Sequence, residues 1–220
     1  EKYGADPVRF YMMTNSEPWD NLKFDPDGVD ECRRKFFGTL YNTYSFFALY
    51  ANVDNYNAPT EGTLSVLSDD ATEIDRWIIS KLNSLISNWY VRLNRKRFWG
   101  KEMSGNKRSA YDALYTCLMT VAKLLAPFAP FYSDQLYHDL GGKKESVHLD
   151  KWPVADEANI DNDLEARMDM AQRITSMVLA LRRKVNIKVR QPLAQIMIPA
   201  IDNTQRQHIT AMADLIKHEV

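Results

Sequence analysis

The 220-residue chain has 45% hydrophobic and 26% charged residues and a formal net charge of −1 at pH 7. This composition is typical of a globular protein with a buried core and excludes a disordered chain. Because the whole chain is nearly neutral, any affinity for nucleic acid must come from a local basic patch. No apolar run approaches about eighteen residues, and no leader-like segment opens the sequence, so neither a membrane span nor a signal peptide is expected.

The two cysteines, Cys32 and Cys117, lie far apart, with no CxxC or Cys/His spacing. We therefore expect neither a disulfide framework nor a zinc site, and a reducing, cytoplasmic setting. The chain starts inside one helical pattern without a Met and stops inside another, which indicates a piece of a longer protein.

Helix-start signals and apolar periodicity predict a largely helical chain. Asp6 and Pro7 are expected to cap and begin a short helix, and Asp25 and Pro26 a long one that ends near Ala51. Further helices are predicted over residues 72–99, 107–126, 130–140, 164–184 and 204–218.

Residues 186–199, NIKVRQPLAQIMIP, change to an alternating pattern with β-branched residues, which predicts a strand. The expected fold class is therefore mainly α, a helical bundle followed by a small α+β appendage. We divide the chain into a linker segment, 1–27, a helical domain, 28–140, and an incomplete α+β extension, 141–220.

The most distinctive stretch is SNWYVRLNRKRFW, residues 87–99, in which cations alternate with aromatic and aliphatic side chains. On a helix, Arg92, Arg95, Lys96 and Trp99 fall within one arc of roughly 100°. A cationic face with an aromatic plane suits an unstacked RNA, since the charges meet phosphates and the ring stacks on a base. The alternative interpretation is an ordinary solvated helix face. The candidate RNA-binding residues are Arg92, Arg95, Lys96, Arg97, Trp99 and Lys101.

Motifs of enzyme chemistry do not appear in the sequence. It contains no GxGxxG or GxxxxGK[ST], and the four histidines are isolated from cysteines and from one another. We therefore predict no catalytic residue, no metal site and no cofactor site. A second basic cluster, Arg182, Arg183, Lys184, Lys188 and Arg190, ends a helix, where cations interact favourably with the helix dipole, and we favour this structural interpretation over a functional one.

Four segments resemble class I aminoacyl-tRNA synthetases. EKYGADPVRFYMM is similar to the segment after their KMSKS loop, and LLAPFAPFYSDQLY resembles the helix break in their anticodon-binding domain. PWDNLKF, with the WYVR, basic residues and FW of the basic stretch, is similar to isoleucyl-tRNA synthetases. The likeness runs to about residue 155 and continues more weakly through LRRKVNIKVRQPL.

This resemblance implies that the parent protein joins isoleucine to tRNA(Ile) at the expense of ATP, through isoleucyl-adenylate. It also implies that this piece, likened to the anticodon-binding bundle, grips the anticodon stem and loop. The HIGH and KMSKS motifs and the editing domain are absent from these residues, so the fragment is expected to catalyse nothing. We expect it to bind tRNA as a monomer and not to contact a membrane. ATP and isoleucine would bind the catalytic domain.

The chain departs from the family pattern at one position. In the family, roughly thirty residues separate a segment like DRWIISKLNSLI from one like SNWYVR, whereas here Ile86 directly precedes Ser87. Either this is a true deletion or an internal stretch has been lost from the sequence, and we favour the second interpretation.

Two rival functions stay open from the sequence. A helical protein-interaction module could use Phe36, Phe46 and Phe47 as a docking surface and its basic ridge for an acidic partner. A small stand-alone enzyme is the weaker rival, because no set of catalytic groups is visible.

Overall fold

A computed structural model describes residues 3–15, 23–59, 70–81, 94–99, 102–154 and 157–220. Within these ranges the ordered elements are helices, and no β-strand occurs. The chain divides into two compact units, residues 1–160 and 161–220. The mainly α fold class predicted from the sequence is therefore confirmed.

The helices of the first unit follow the predicted order. They are α1 (Ala5–Thr14), α2 (Pro26–Cys32), α3 (Gly38–Val53), α4 (Glu73–Ser80), α5 (residues 94–98), α6 (Gly105–Leu125) and α7 (Pro130–Asp139). Two short 3-10 helices, Val147–Leu149 and Glu157–Asn159, follow.

The long helix predicted after Asp25 is confirmed. The Asp25 side chain accepts a hydrogen bond from the Asp27 amide, and Pro26 occupies the first helical position. A π-helical turn, Arg33–Phe37, connects α2 directly to α3. The sequence pattern does not reveal this turn, because it leaves the helix continuous.

Asp6 has a different role from the expected one. The helix α1 begins at Ala5, with no side-chain cap, and the Asp6 carboxylate accepts a hydrogen bond from the Tyr132 amide at 2.5 Å. Tyr132 lies in the first turn of α7, where backbone amides lack helical partners. The expectation that Asp6 caps its own helix is therefore wrong, since it caps the neighbouring helix.

The core of the first unit surrounds α6, which packs against α3, α4 and α7. Apolar side chains buried completely on this helix include Ala110, Tyr111, Ala113, Leu114, Cys117 and Leu118. Their removal from water is the main favourable term in folding the bundle. The helix ends at Leu125, two residues before Pro127, as the loss of an amide donor at proline predicts.

A single helix over residues 72–99 is not formed. The helix α4 begins after Thr72 with a capping box and ends at Ser80, and Lys81 leaves the α-helical conformation with φ −82° and ψ 10°. The unbroken helix is therefore wrong at Lys81. The junction of Ile86 and Ser87 lies outside the described residues.

The second unit consists of α8 (Asn162–Lys184), α9 (Asn203–Ala211) and α10 (Ala213–Glu219), with both short helices packed on α8. The strand expected over residues 186–199 is not formed, because a strand needs an extended neighbour to pair with and this segment pairs with none in the described chain. The α+β appendage is therefore wrong at this point. Among the described helices, none has the length and apolar character needed to cross a membrane.

Candidate nucleic-acid interface

The short helix α5 is attached to the bundle by a buried ion pair. Arg97 donates from Nη1 to Oδ1 of Asp75 and from Nη2 to Oδ2, both at 2.7 Å. The Asp75 side chain is completely buried, and that of Arg97 is 16% exposed. A two-pronged arginine–carboxylate pair fixes orientation as well as distance. Asp75 on α4 therefore sets how α5 lies against the bundle.

Further hydrogen bonds complete this network. Arg97 also donates to the side chains of Asn94 and Asn106, each at 2.7 Å, and to the Asn106 carbonyl. The Thr72 hydroxyl and the Ser109 hydroxyl both donate to Oδ2 of Asp75. A buried charge is costly unless its hydrogen-bonding groups are satisfied. These partners therefore offset the free-energy cost of burying Arg97 and Asp75.

Trp99 follows α5 and closes its last turn, with its amide donating to the Arg95 carbonyl at 3.2 Å. Its side chain is 59% exposed. The indole Nε1 donates to the hydroxyl of Tyr50 on α3 at 2.7 Å. An exposed indole is therefore held at its polar edge, which leaves ring surface open to a ligand.

Aromatic packing supports the same end of the bundle. Phe98 is 1% exposed, and its ring contacts Phe46 and Tyr111 edge to face at 5.2 and 4.9 Å. Tyr50 in turn packs against Phe46 at 4.8 Å. Aromatic pairs of this geometry add packing energy beyond their buried area. The residues on either side of Phe98 therefore extend from a rigid base.

The structure places the predicted RNA-binding residues in three groups. Arg95 and Lys96 are exposed on α5, and Trp99 lies one turn beyond them on the same side, at helical spacings of four and three. Arg97 lies inside the network with Asp75. Arg92 and Lys101 lie outside the described residues. The exposed part of the surface, Arg95, Lys96 and Trp99, we call the α5 surface.

Lys107, which continues the basic stretch in the sequence, is also internal. Its ammonium pairs with Asp54 at 2.5 Å, and its side chain is 3% exposed. The Tyr111 hydroxyl donates a hydrogen bond to the same carboxylate. Although burial raises the pKa of Asp54, the hydrogen bonds from Lys107 and Tyr111 lower it further, so its pKa lies below the ordinary value. Lys107 therefore stabilises the fold.

Possible metal ligands are not brought together in the described part of the chain. No group of three histidine, cysteine or acidic side chains is placed to hold a metal ion in these ranges. His138 and His208 each lie near an aspartate, Asp134 at 3.7 Å and Asp163 at 3.0 Å, as surface pairs.

The phenylalanines proposed for a protein-docking surface are buried or half-buried and pack against other aromatic rings. Phe47 is 6% exposed, Phe36 stacks on Phe10 at 4.4 Å, and Phe46 contacts Phe98. A docking surface needs exposed apolar area, so the protein-interaction alternative is not favoured.

Tyr50 and Asp75 are the residues that sequence reasoning missed. The spacing of Thr72 and Asp75 is a capping-box signal, and it locates the carboxylate on the first turn of α4. No local signal reveals the Arg97 partner, which is 22 positions away, or the Trp99–Tyr50 bond, which spans 49.

Comparison with known proteins identifies relatives over the whole chain. It is 56% identical to the isoleucine–tRNA ligase of Porphyromonas gingivalis, 57% to that of Bacteroides fragilis and 50% to that of Cytophaga hutchinsonii. Each alignment covers 100% of this chain and 22% of the relative, so the chain spans about a fifth of the length of these proteins.

The alignments run over 247 to 252 positions, whereas the chain has 220 residues. About thirty positions of these relatives therefore have no counterpart here. This length agrees with the segment expected to be missing between Ile86 and Ser87.

The family described as the anticodon-binding domain of tRNA ligase matches residues 78–198. This match covers more than half of the chain and includes α5, α6, α7 and α8. The chain therefore belongs to the anticodon-binding domain family of tRNA ligases.

Proposed function

We propose that this chain binds the anticodon stem and loop of tRNA(Ile) through the α5 surface. The observation that carries the proposal is the half-exposed indole of Trp99, fixed by Tyr50 beside the exposed cations Arg95 and Lys96. Arg92 and Lys101 are included from the sequence, as they flank α5 in the same basic stretch. Tyrosine, indole and cations together favour a nucleic acid with unstacked bases.

Base stacking and phosphate contacts contribute to the binding affinity in different ways. A base stacked on an aromatic ring contributes about 1 to 3 kcal/mol by substitution, with little dependence on salt. A phosphate contact adds roughly 0.7 to 0.9 to the slope of binding against salt. Trp99 therefore supplies affinity at every salt concentration, and Arg95 and Lys96 supply affinity that falls as salt rises.

Arg97 has a different role in this proposal. Its guanidinium is directed at Asp75, Asn94 and Asn106, so it fixes α5 and does not contact RNA. A rigid α5 is useful because an ordered surface loses less conformational entropy when RNA binds.

The parent protein, on this proposal, is an isoleucine–tRNA ligase that couples L-isoleucine to tRNA(Ile) with ATP, through isoleucyl-adenylate. The supporting observation is the similarity to proteins of that name over the whole of this chain. The chain itself contributes tRNA binding, and isoleucine and ATP bind the catalytic domain of the parent. We further propose that the protein is a monomer and is cytoplasmic, and a reducing compartment suits its two free cysteines.

Filter binding with a tRNA(Ile) transcript and a scrambled hairpin of equal length tests the proposal. We expect the chain to prefer the tRNA at moderate salt. Equal affinity for both RNAs, or no retention of either, would contradict it. We expect the 220-residue chain to show no isoleucine-dependent exchange of pyrophosphate into ATP. A positive signal would contradict the proposal that isoleucine and ATP bind only the catalytic domain of the parent.

A further inference from the structure

The end of α8 carries a second concentration of positive charge. Five cations occur within nine residues, and no aspartate or glutamate occurs between Asp169 and Asp202. The five are Arg182, Arg183, Lys184, Lys188 and Arg190. We call them, with the backbone of residues 182–191, the α8 turn.

The backbone after α8 is folded into a defined structure. The Ile187 amide donates to the Arg182 carbonyl at 2.9 Å, and the Asn186 amide donates to the Arg183 carbonyl at 3.2 Å. Asn186 has φ 56°, the left-handed conformation that ends many helices. A further turn follows, with the Gln191 amide donating to the Lys188 carbonyl at 3.0 Å. The cations after the helix are therefore presented on an ordered turn.

The buried side chain of Arg182 hydrogen-bonds to the backbone of this turn. It is 3% exposed, and its Nη1 donates to the carbonyls of Lys188 and Gln191 at 2.9 and 2.8 Å. Its Nε and Nη2 have no hydrogen-bond partner in the part of the chain that the structure describes. Arg182 is therefore a buried positive charge without a carboxylate partner among these residues, an arrangement that favours a nearby anion.

The remaining four cations are exposed. The helix dipole accounts for Arg183 and Lys184, which lie in the last turn of α8. It does not account for Lys188 and Arg190, since they follow the helix and the effect falls off within the last turn. No ion pair joins these four side chains to a carboxylate in the described ranges. Their charge is therefore available to an external anion.

We propose that the α8 turn is a second RNA-binding surface, which contacts phosphates of the tRNA backbone. The family match, residues 78–198, includes both α5 and the α8 turn, so both surfaces belong to the anticodon-binding region. The inference rests on the proposed tRNA binding, but it concerns a different unit of the chain. Phosphate contacts of this kind add affinity without reading sequence.

The test compares two double variants of the 220-residue chain, each of which removes two exposed cations from the second unit. K188Q/R190Q removes the cations of the α8 turn that lie beyond the helix. R173Q/R206Q removes exposed cations of α8 and α9 and is the matched control. Affinity for a tRNA(Ile) transcript is measured by filter binding from 50 to 200 mM salt, and circular dichroism verifies that each variant is folded.

We expect K188Q/R190Q to bind at least fivefold more weakly at low salt, and its slope of binding against salt to fall by about 1.4 to 1.8. We expect R173Q/R206Q to keep both the affinity and the slope. An unchanged K188Q/R190Q variant would overturn the inference, and so would equal losses in both variants, since these would indicate a general charge effect.

Trp99→Ala in the same assay separates this inference from the proposed function. If Trp99→Ala weakens binding and K188Q/R190Q does not, the α5 surface stands and the second surface fails. If the unsubstituted chain does not bind tRNA, both fail.

Discussion

Arg97 and Asp75 join α5 to α4 through two hydrogen bonds of 2.7 Å, with the carboxylate completely buried. The pair connects segments on either side of residues 82–93, so it fixes α5 independently of the chain between them. Arg95 and Lys96, which precede Arg97 in the sequence, are exposed. A single basic stretch thus divides into a structural arginine and an exposed surface.

Removing the Asp75 charge is expected to destabilise the first unit strongly. Asp75→Asn leaves the Arg97 guanidinium largely buried without its countercharge, which costs about 3 kcal/mol. Urea unfolding followed by circular dichroism measures the change. Arg95→Ala, at an exposed position two residues before Arg97, is the control and is expected to change the unfolding free energy by less than about 0.5 kcal/mol. Equal effects of the two substitutions would mean that the pair does not fix α5.

The Asp54–Lys107 pair predicts a pH dependence of stability. Because the pKa of Asp54 is lowered in the folded chain, its contribution is present above the ordinary value of 3.8 and is lost as pH falls through the folded pKa. Asp54→Asn is therefore expected to cost about 3 kcal/mol near pH 7, where Lys107 loses its partner.

The stability difference between the unsubstituted chain and Asp54→Asn should shrink as pH decreases below about 4. Urea unfolding at pH 7, 5, 4 and 3 gives this difference directly. A difference that stays constant over this range would show that the pKa of Asp54 is the same in the folded and unfolded chains, which would contradict the lowered pKa.

Tyr50→Phe tests how the indole is held. The substitution keeps the ring against Phe46 and removes the hydroxyl that accepts the Trp99 Nε1 hydrogen bond. We expect several-fold weaker tRNA binding with a loss of unfolding free energy of only about 1 kcal/mol. Tyr41→Phe, on the exposed side of the same helix, is the matched control and should leave binding unchanged. Unchanged binding with Tyr50→Phe would remove Tyr50 from the proposal.

The sequence predicts well those features that local residues determine. The helix start at Asp25 and Pro26, the helix end just before Pro127 and the helix end at Lys184 follow from capping, proline sterics and periodicity, and the structure has them. The strand predicted over residues 186–199 is wrong because alternation alone does not supply a pairing partner, and the carbonyls of Lys188 and Gln191 accept hydrogen bonds from Arg182 instead.

In the candidate site, too, the features set by local sequence could be predicted and those set by distant partners could not. Trp99 and Arg95 lie where helical spacing predicts, on one exposed side of α5. The internal positions of Arg97 and Lys107 could not be predicted, because their partners Asp75 and Asp54 are distant in sequence and meet them only in the folded bundle. A basic side chain in a basic stretch gives no sign of a distant carboxylate.

The most direct test of the α5 surface is the affinity for tRNA(Ile) of the unsubstituted chain, Trp99→Ala and Arg95→Ala, measured at 50 and 200 mM salt. We predict that Trp99→Ala loses about 5- to 150-fold at both salt concentrations, since stacking depends little on salt. Arg95→Ala should lose mainly at 50 mM, with the salt slope smaller by about 0.7 to 0.9. If both variants bind like the unsubstituted chain, the α5 surface is a solvated helix face and the account is contradicted.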